Sequence, residues 1–401
     1  MFHYRKTRLL LAGVAFAAMS SSALAVDGNK LFDHLSKSYE AQGGLTLKAQ
    51  DVSTSGSNVT LSGVSITVPG EAKEIPLGKI ELTDVEEAGD GGYTIGKATF
   101  DNVDFSDDKS SFKARDIEVS YITIPAEASQ NPTSLSDMLL YRNIHVGPIT
   151  AEDKGAKVFS MDGMDMNLGV DSDNSTLTFD YTGNGVFIDM SNVKDMDPKA
   201  RDKMQALDLM QVTGTFSGNG SWNSASGMLD MQSMAYDFDK VGKLDIGLSI
   251  SGYTLEFVRA LQEATKTAQA GGNTPESQQA AGMAMLGLMQ QLSFVGATIR
   301  FDDHSITKRA LDVAGKEQGM SGEQMGQMLK AMVPIGMAQL QIPELQNMVS
   351  QAVNTYLDNP QNITISAKPA DAVPFPMIMG AAMGAPKTLP QVLGVTVTAN
   401  D

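Results

Sequence analysis

Cysteine is absent from this chain of 401 residues, which removes disulfides, thiol nucleophiles, zinc–thiolate sites and iron–sulfur clusters. Stability must therefore come from ordinary burial. Histidine is nearly absent: beyond His3 there are only His34, His145 and His304, none near another in the sequence. A hydrolytic triad or a His-rich metal site has little to build on. Aromatic residues make up 6% with Trp222 the only tryptophan. That argues against a sugar-stacking cleft and against the two aromatic girdles of an outer-membrane barrel. Bases are outnumbered, 30 Lys+Arg against 47 Asp+Glu, for a formal net charge of −17. Such a chain repels nucleic acid and anionic headgroups at long range, so no nucleic-acid partner is expected.

The start of the chain carries Arg5, Lys6 and Arg8, then an apolar run over residues 9–19, three serines and Ala23-Leu24-Ala25. A basic region, a short apolar core and an Ala-x-Ala site are the parts of a secretory signal. The run is well short of the roughly 20 residues that span a bilayer. The spacing predicts a Sec-type leader over residues 1–25, cleaved after Ala25, and a periplasmic mature protein with no integral membrane segment.

Residues 26–254 are expected to be β-rich. Ile117, Val119 and Tyr121 alternate with polar neighbours, as do Leu177, Phe179 and Tyr181, and Leu244, Ile246, Leu248 and Ile250. Turn clusters such as Asp171-Ser172-Asp173-Asn174 and Gly218-Asn219-Gly220 separate the runs. One short helix is expected from the Asp197 cap and Pro198 to about Met210. Residues 255–401 read as a helical region with returning strands, part of the same fold. Helices are expected from Thr254, from Thr274-Pro275 after a break at Gly271-Gly272-Asn273, from Ser305, from the Ser321/Gln324 capping box, and over residues 343–357. Strands are expected at Val295, Ala297, Ile299 and Phe301, and over 363–367 and 395–398. The fold class is α+β and β-dominated: a long antiparallel β-meander, an open sheet or half-barrel, with C-terminal helices packed on it.

Gly78-Lys79-Ile80-Glu81-Leu82-Thr83-Asp84-Val85 is echoed eighteen residues later by Gly96-Lys97-Ala98-Thr99-Phe100-Asp101-Asn102-Val103. Related phrasing recurs near Phe112 and Phe159, a spacing that suits one hairpin per unit. In this texture, over residues 50–170, the chain resembles the AsmA-like superfamily of bacterial envelope proteins. The resemblance implies strand meanders curled into a groove and an association with outer-membrane lipid homeostasis. It carries no functional residue over, and the chain departs from that family in lacking a retained N-terminal membrane anchor.

Three motifs fail on inspection. Residues 91–98 approach a phosphate-binding loop, but Ala98 stands where Ser or Thr must hold magnesium, and the context is turn-to-strand. Asp171-Ser172-Asp173-Asn174-Ser175 opens like a calcium loop, yet Thr176 replaces the required Gly and Thr182 the required Glu; a hairpin turn fits better. Asp302-Asp303-His304-Ser305 reads as helix capping rather than a metal site.

Methionine is abundant, with 25 residues. Met161, Met164 and Met166, and Met228, Met231 and Met234, raise copper binding as one alternative. Strict alternation sets the middle member of the second triplet, and the first of the first, on the opposite face. Residues 280–289 contain no polar side chain and are too short to span a membrane. There Met283, Met285 and Met289 suit a lid over an apolar groove. No catalytic, cofactor-binding or metal residue is assigned. The leading expectation is a non-enzymatic envelope protein holding lipid or another apolar ligand between sheet and helices. A structural role with an envelope protein partner is the other alternative.

Overall fold

The computed structural model describes residues 26–401 apart from 69–73, 108, 130–131, 194–195 and 271–273. The expected leader and the expected helix break at 271–273 lie outside the described residues.

The described chain opens on helix α1 (Gly28–Gly43), which the strand-dominated reading did not anticipate. The Asp27 carboxylate accepts from the backbone N–H groups of Asn29 and Lys30, and Gly44 closes the helix at φ 65°. Thirteen strands follow: β1 (Thr46–Lys48), β2 (Asp51–Ser55), β3 (Asn58–Thr67), β4 (Ile75–Glu87), β5 (Tyr93–Phe100), β6 (Val103–Ser106), β7 (Ser110–Ala114), β8 (Glu118–Ile124), β9 (Asn143–Val146), β10 (Ile149–Asp153), β11 (Ala156–Met161), β12 (Gly163–Val170) and β13 (Thr176–Asp189). Helix α2 (Pro198–Ala206) precedes β14 (Gln211–Asn223), β15 (Met228–Phe238) and β16 (Gly242–Ser251). The helical part then brings α3 (Leu255–Ala270), α4 (Pro275–Met289), β17 (Ser293–Asp303), α5 (Ile306–Glu317), α6 (Gly322–Ala338) and α7 (Pro343–Asp358). The chain closes with β18 (Asn362–Ala367), β19 (Val373–Pro374), α8 (Phe375–Gly384), α9 (Leu389–Val392) and β20 (Val395–Ala399).

All 20 strands join one sheet, and its pairings are antiparallel throughout. The order runs β3–β4–β5–β8–β9–β12–β13–β14–β15–β16–β17–β18–β20. Several numbered strands are halves of one bent strand. Thus β7 pairs with β6 and β10, while its continuation β8 pairs with β5 and β9. The architecture is the expected β-dominated meander with helices gathered towards the C-terminus. Strands β17, β18 and β20 continue the sheet, so the C-terminal helices are excursions between its strands.

Local signals explain the helix ends. Asp197 accepts from Ala200 N at 3.1 Å with Pro198 in the first turn. Helix α2 stops at Ala206 rather than near Met210, because Asp208 turns the chain at φ 52°. The Ser321/Gln324 capping box is formed in both directions, at 2.8 and 3.1 Å. At α5 the cap is Asp303, which accepts from Thr307 N at 2.9 Å, whereas Ser305 instead donates to Lys240 O.

The main departure from simple alternation is the β-bulge. At Tyr121 the cause is instead a backbone kink with no residue inserted: it sits at φ 54° and turns outward, 63% exposed, while β8 keeps one register with β5, so Ile122 takes the inner position opposite Ile95. In β17 the register shift leaves Phe294, not Val295, opposite Ile250. In β15 the shift between Met231 and Met234 returns both methionines to one face, correcting the expectation that they oppose each other. Each bulge inserts one residue and inverts the side-chain parity beyond it.

The largest core lies between α1 and strands β3, β4, β5 and β8. Leu31, Val59, Leu61, Val64, Leu82, Val85 and Ile95 are buried there. Each fully buried aliphatic side chain contributes about 1.5–3 kcal/mol. A smaller core joins Phe257, Leu288 and Leu292 with Tyr253, Met289 and Phe375, at the root of the α3–α4 hairpin.

Candidate functional site

Directly paired residues of an antiparallel sheet share a face, so register alone sorts the two faces. One row runs Val59–Leu82–Ala98–Val119–Ile144–Met166–Tyr181. It continues Gly218–Met234–Ile246–Ile299–Ile365–Val397. Every member from β3 to β20 is apolar or glycine. The next row, two residues away, includes Leu61, Ile80 and Phe100, then Met164, Phe216, Tyr236, Leu244, Phe301 and Ile363. On the other side lie Leu168, Phe179, Met231, Leu248 and Ala297, and beyond them Leu177, Trp222, Leu229, Ile250 and Phe294.

The opposite face is polar over the same span. Thr60–Glu81–Thr99–Glu118–His145–Asp165–Thr182 leads on to Ser217–Ala235–Asp245–Arg300–Thr364–Thr398. Ladders decorate it: Lys97–Glu118 at 3.2 Å, His145 Nδ1–Asp165 Oδ1 at 2.6 Å and Asn167–Asp180 at 2.8 Å. Such exposed pairs contribute at most about 1 kcal/mol each; they keep this face wet.

The apolar face is the inner one. Helix α1 packs on its N-terminal part and the α3–α4 hairpin on its far end, where Trp222 meets Tyr253 edge-on at 6.1 Å and Nε1 donates to Tyr253 O at 2.6 Å. The two helices touch, because Gln262 Nε2 of α3 donates to Gln42 O of α1 at 3.3 Å. In a flat sheet β3 and β16 would stand roughly 43 Å apart, at about 4.8 Å per strand. Gln262 lies only about 10 Å along α3. The sheet therefore coils around its apolar side, and α1 and α3 bridge the concavity.

Glycines shape the floor. A Cβ on Gly183 would fall 2.3 Å from the Phe216 ring, one on Gly218 2.5 Å from Tyr181, and one on Gly220 2.7 Å from Phe179. These rings occupy the space a side chain would take on their glycine partners, and Tyr181 and Phe216 stand tilted to each other at 6.2 Å. Burial pushes the Tyr181 hydroxyl pKa up, with Tyr236 adding to it, as expected for a drying surface. At the N-terminal end the concavity narrows to a cavity of about 90 Å³ lined by Leu35, Tyr39, Leu61, Ile80, Phe100 and Tyr141 among others. Burial likewise raises the Tyr39 pKa, with Tyr141 adding to it. Towards the C-terminus the same face stays open. Tyr236, Leu248, Ile299 and Ile365 are each between 36% and 47% exposed.

The residues singled out from the sequence fall as follows. Met283 and Met285 are exposed on α4, and Met289 packs in the α3–α4 core, so the three do not line one surface. The sheet face, not this helix, carries the continuous apolar lining. Sequence alternation marked Tyr181, Leu248 and Ile299 as strand residues; only register shows them side by side. Met166 and Met234 share a row but stand about 14 Å apart across β13 and β14, too far for one ion. Among the described residues no three His, Asp or Glu side chains gather as a metal site. The residue 91–98 segment is the start of β5, with Lys97 paired to Glu118. Asp171 turns its carboxylate on its own hairpin, accepting from the N–H of Thr176 and Ser175, and those bonds hold it well below the usual carboxylate range. His304 Nδ1 stands 3.5 Å from Asp237 Oδ1, and His34 stands edge-on to Tyr93.

A wider polar cleft of about 710 Å³ borders Asp90, Tyr121, Asp137 and Arg142. Two of its acids are committed: Asp137 accepts from the Thr133 and Ser134 backbones and the Thr133 hydroxyl, and Asp90 accepts from Gly92 N, while Glu127 also lines the cleft.

A family model described as an uncharacterized protein matches residues 235–400, from within β15 to the end of β20. No curated protein matches the chain. No helix among the described residues is long and apolar enough to cross a membrane.

Proposed function

We propose that this protein is a non-enzymatic, exported envelope protein whose coiled sheet holds a lipid acyl chain, or a ligand of like chemistry, against its inner face. The observation that carries this reading is the unbroken apolar row from Val59 to Val397, buried under α1 at one end and open at the other. A sheet face that only served a packed core would be covered along its length. This one leaves large side chains exposed in adjacent rows, an arrangement suited to an apolar ligand. Met164, Met166, Met231 and Met234 supply a deformable floor that accepts chains of varied shape. The expected leader, the acidic charge and the resemblance to AsmA-like envelope proteins support the same setting.

Mass spectrometry of solvent extracts from the protein, purified from envelopes without detergent, tests this. Co-purifying phospholipid or fatty acid near stoichiometry is expected, and it falls sharply in Ile246→Asp, which sets a charge in the middle of the row. Lipid-free extracts of folded protein would refute the reading.

A further inference from the structure

The last strands of the sheet divide the molecule into a charged end and one poor in charge. Where β17 finishes, Asp302, Asp303 and His304 are followed by Lys308, Arg309, Asp312, Lys316 and Glu317 on α5. Where β17 begins, charge is confined to a few side chains such as Glu256 and Arg259 of α3. Residues 277–299, 331–343 and 372–386 contain no Asp, Glu, Lys or Arg, in a chain of which 19% is charged.

The fold brings these three stretches to the same end. Helix α4 runs into β17 through Leu292, and Leu292 O accepts from Phe375 N, the first residue of α8, at 3.1 Å. Strand β19, just before α8, pairs with the first residues of β17. Lys387, just after α8, donates to the side chain of Gln341 in the turn between α6 and α7. Helix α8 therefore spans from the foot of α4 to the α6–α7 turn. It is made of Phe, Pro, Met, Ile, Gly and Ala only, and none of its residues is buried. Met383 is 90% and Met377 57% exposed; Met283 and Leu286 on α4, and Ile335 and Leu340 near the end of α6, are exposed as well.

We propose that this end docks on a lipid bilayer, with α8 lying in the interface. The inference rests on the reading of the inner face as a lipid site, for which it supplies the mouth. The occupant is argued from charge. The three stretches offer no ion to pair with a charged protein or with anionic headgroups, Lys387 at their border is taken up by Gln341, and the acidic chain behind them repels anionic headgroups. What remains favourable is insertion of exposed methionine and isoleucine side chains among neutral headgroups and acyl chains. The helix is too short to span, so the contact is peripheral.

Flotation of the full mature chain with phosphatidylcholine vesicles tests the proposal. The protein is expected to float, to stay bound in molar salt, and to gain nothing from added phosphatidylglycerol. Met377→Glu with Met383→Glu should lower the bound fraction about tenfold or more, while Met377→Leu with Met383→Leu retains it. Both variants alter exposed positions, and far-UV circular dichroism with a thermal melt checks that they fold as the parent does. Failure of the parent to float, equal flotation of the glutamate variant, or binding confined to anionic vesicles and lost in salt would each overturn docking. Lipid extracts separate this result from the previous one. Protein that floats but carries no lipid sinks the inner-face reading alone, and protein that carries lipid but does not float sinks docking alone.

Discussion

The apolar face is built the same way from β3 to β20, yet its two parts end in different states. Under α1, Val59, Leu61 and Leu82 are at most 2% exposed, and the space left between helix and sheet is a small cavity. Past β14 the same rows continue through Tyr236, Leu248, Ile299 and Ile365, all exposed by a third or more. Residue type does not separate the two parts, since both are Ile, Leu, Val and aromatic. What differs is the cover. Helix α1 presents Leu31 and Leu35 to the sheet, whereas the C-terminal helices pack with one another and with the sheet margins: α5 on α6, α6 on α7, α3 on α4, and α7 beside β20. One half of the face is a core and the other is a surface of core-like composition, which a ligand can complete.

Stability should register that difference most strongly. Leu61→Ala is expected to cost about 2–5 kcal/mol, the range for a buried leucine whose cavity cannot collapse. Ile365→Ala, in the adjacent row of like chemistry but unroofed, should cost less than about 1 kcal/mol. Urea melts of the delipidated protein compare them; equal costs would mean that the C-terminal face is packed as tightly as the N-terminal one.

A smaller effect is expected from acid. Bonds to the Lys109 and Ser110 backbones hold the Asp107 carboxyl below its usual range, the Thr133 backbone and hydroxyl do so for Asp137, and the Ser191 side chain and backbone for Asp189. A carboxyl whose folded pKa is depressed contributes stability above the unfolded carboxylate range and loses it as pH falls through the folded value. Melting temperature should therefore hold through neutral pH and decline below about pH 4. These acids sit in turns and on the wet side. Lipid retention by the open face should accordingly outlast the first loss of stability, and parallel loss of both would tie the face to the turns.

Much of this fold was legible in the sequence. Period-two alternation marked Leu177–Phe179–Tyr181 and Leu244–Ile246–Leu248 as strands, and caps at Asp197 and Ser321 marked helix starts. Three things were not legible. A kink at Tyr121 and bulges near Val295 and Met231 invert parity through backbone conformations that no side-chain pattern announces. Helices α1 and α8 were missed for opposite reasons: α1 sits in a polar opening segment with only spaced leucines, and α8 is apolar on all sides and begins with proline. The coil of the sheet depends on contacts such as Gln42–Gln262, more than two hundred residues apart. The site suffered most from the last. Methionines of one helix, 283, 285 and 289, drew notice because they are adjacent in sequence, whereas the inner face is assembled one residue per strand.

Site-specific photocrosslinking tests the central claim most directly. A benzophenone side chain at Tyr236 or Ile299 on the inner face, and at Thr182 on the polar face, is irradiated in native envelopes and the adducts are read by mass spectrometry. The account predicts acyl-chain adducts from Tyr236 and Ile299 and none from Thr182. Adducts of equal yield from both faces, or none from the inner face, would contradict it.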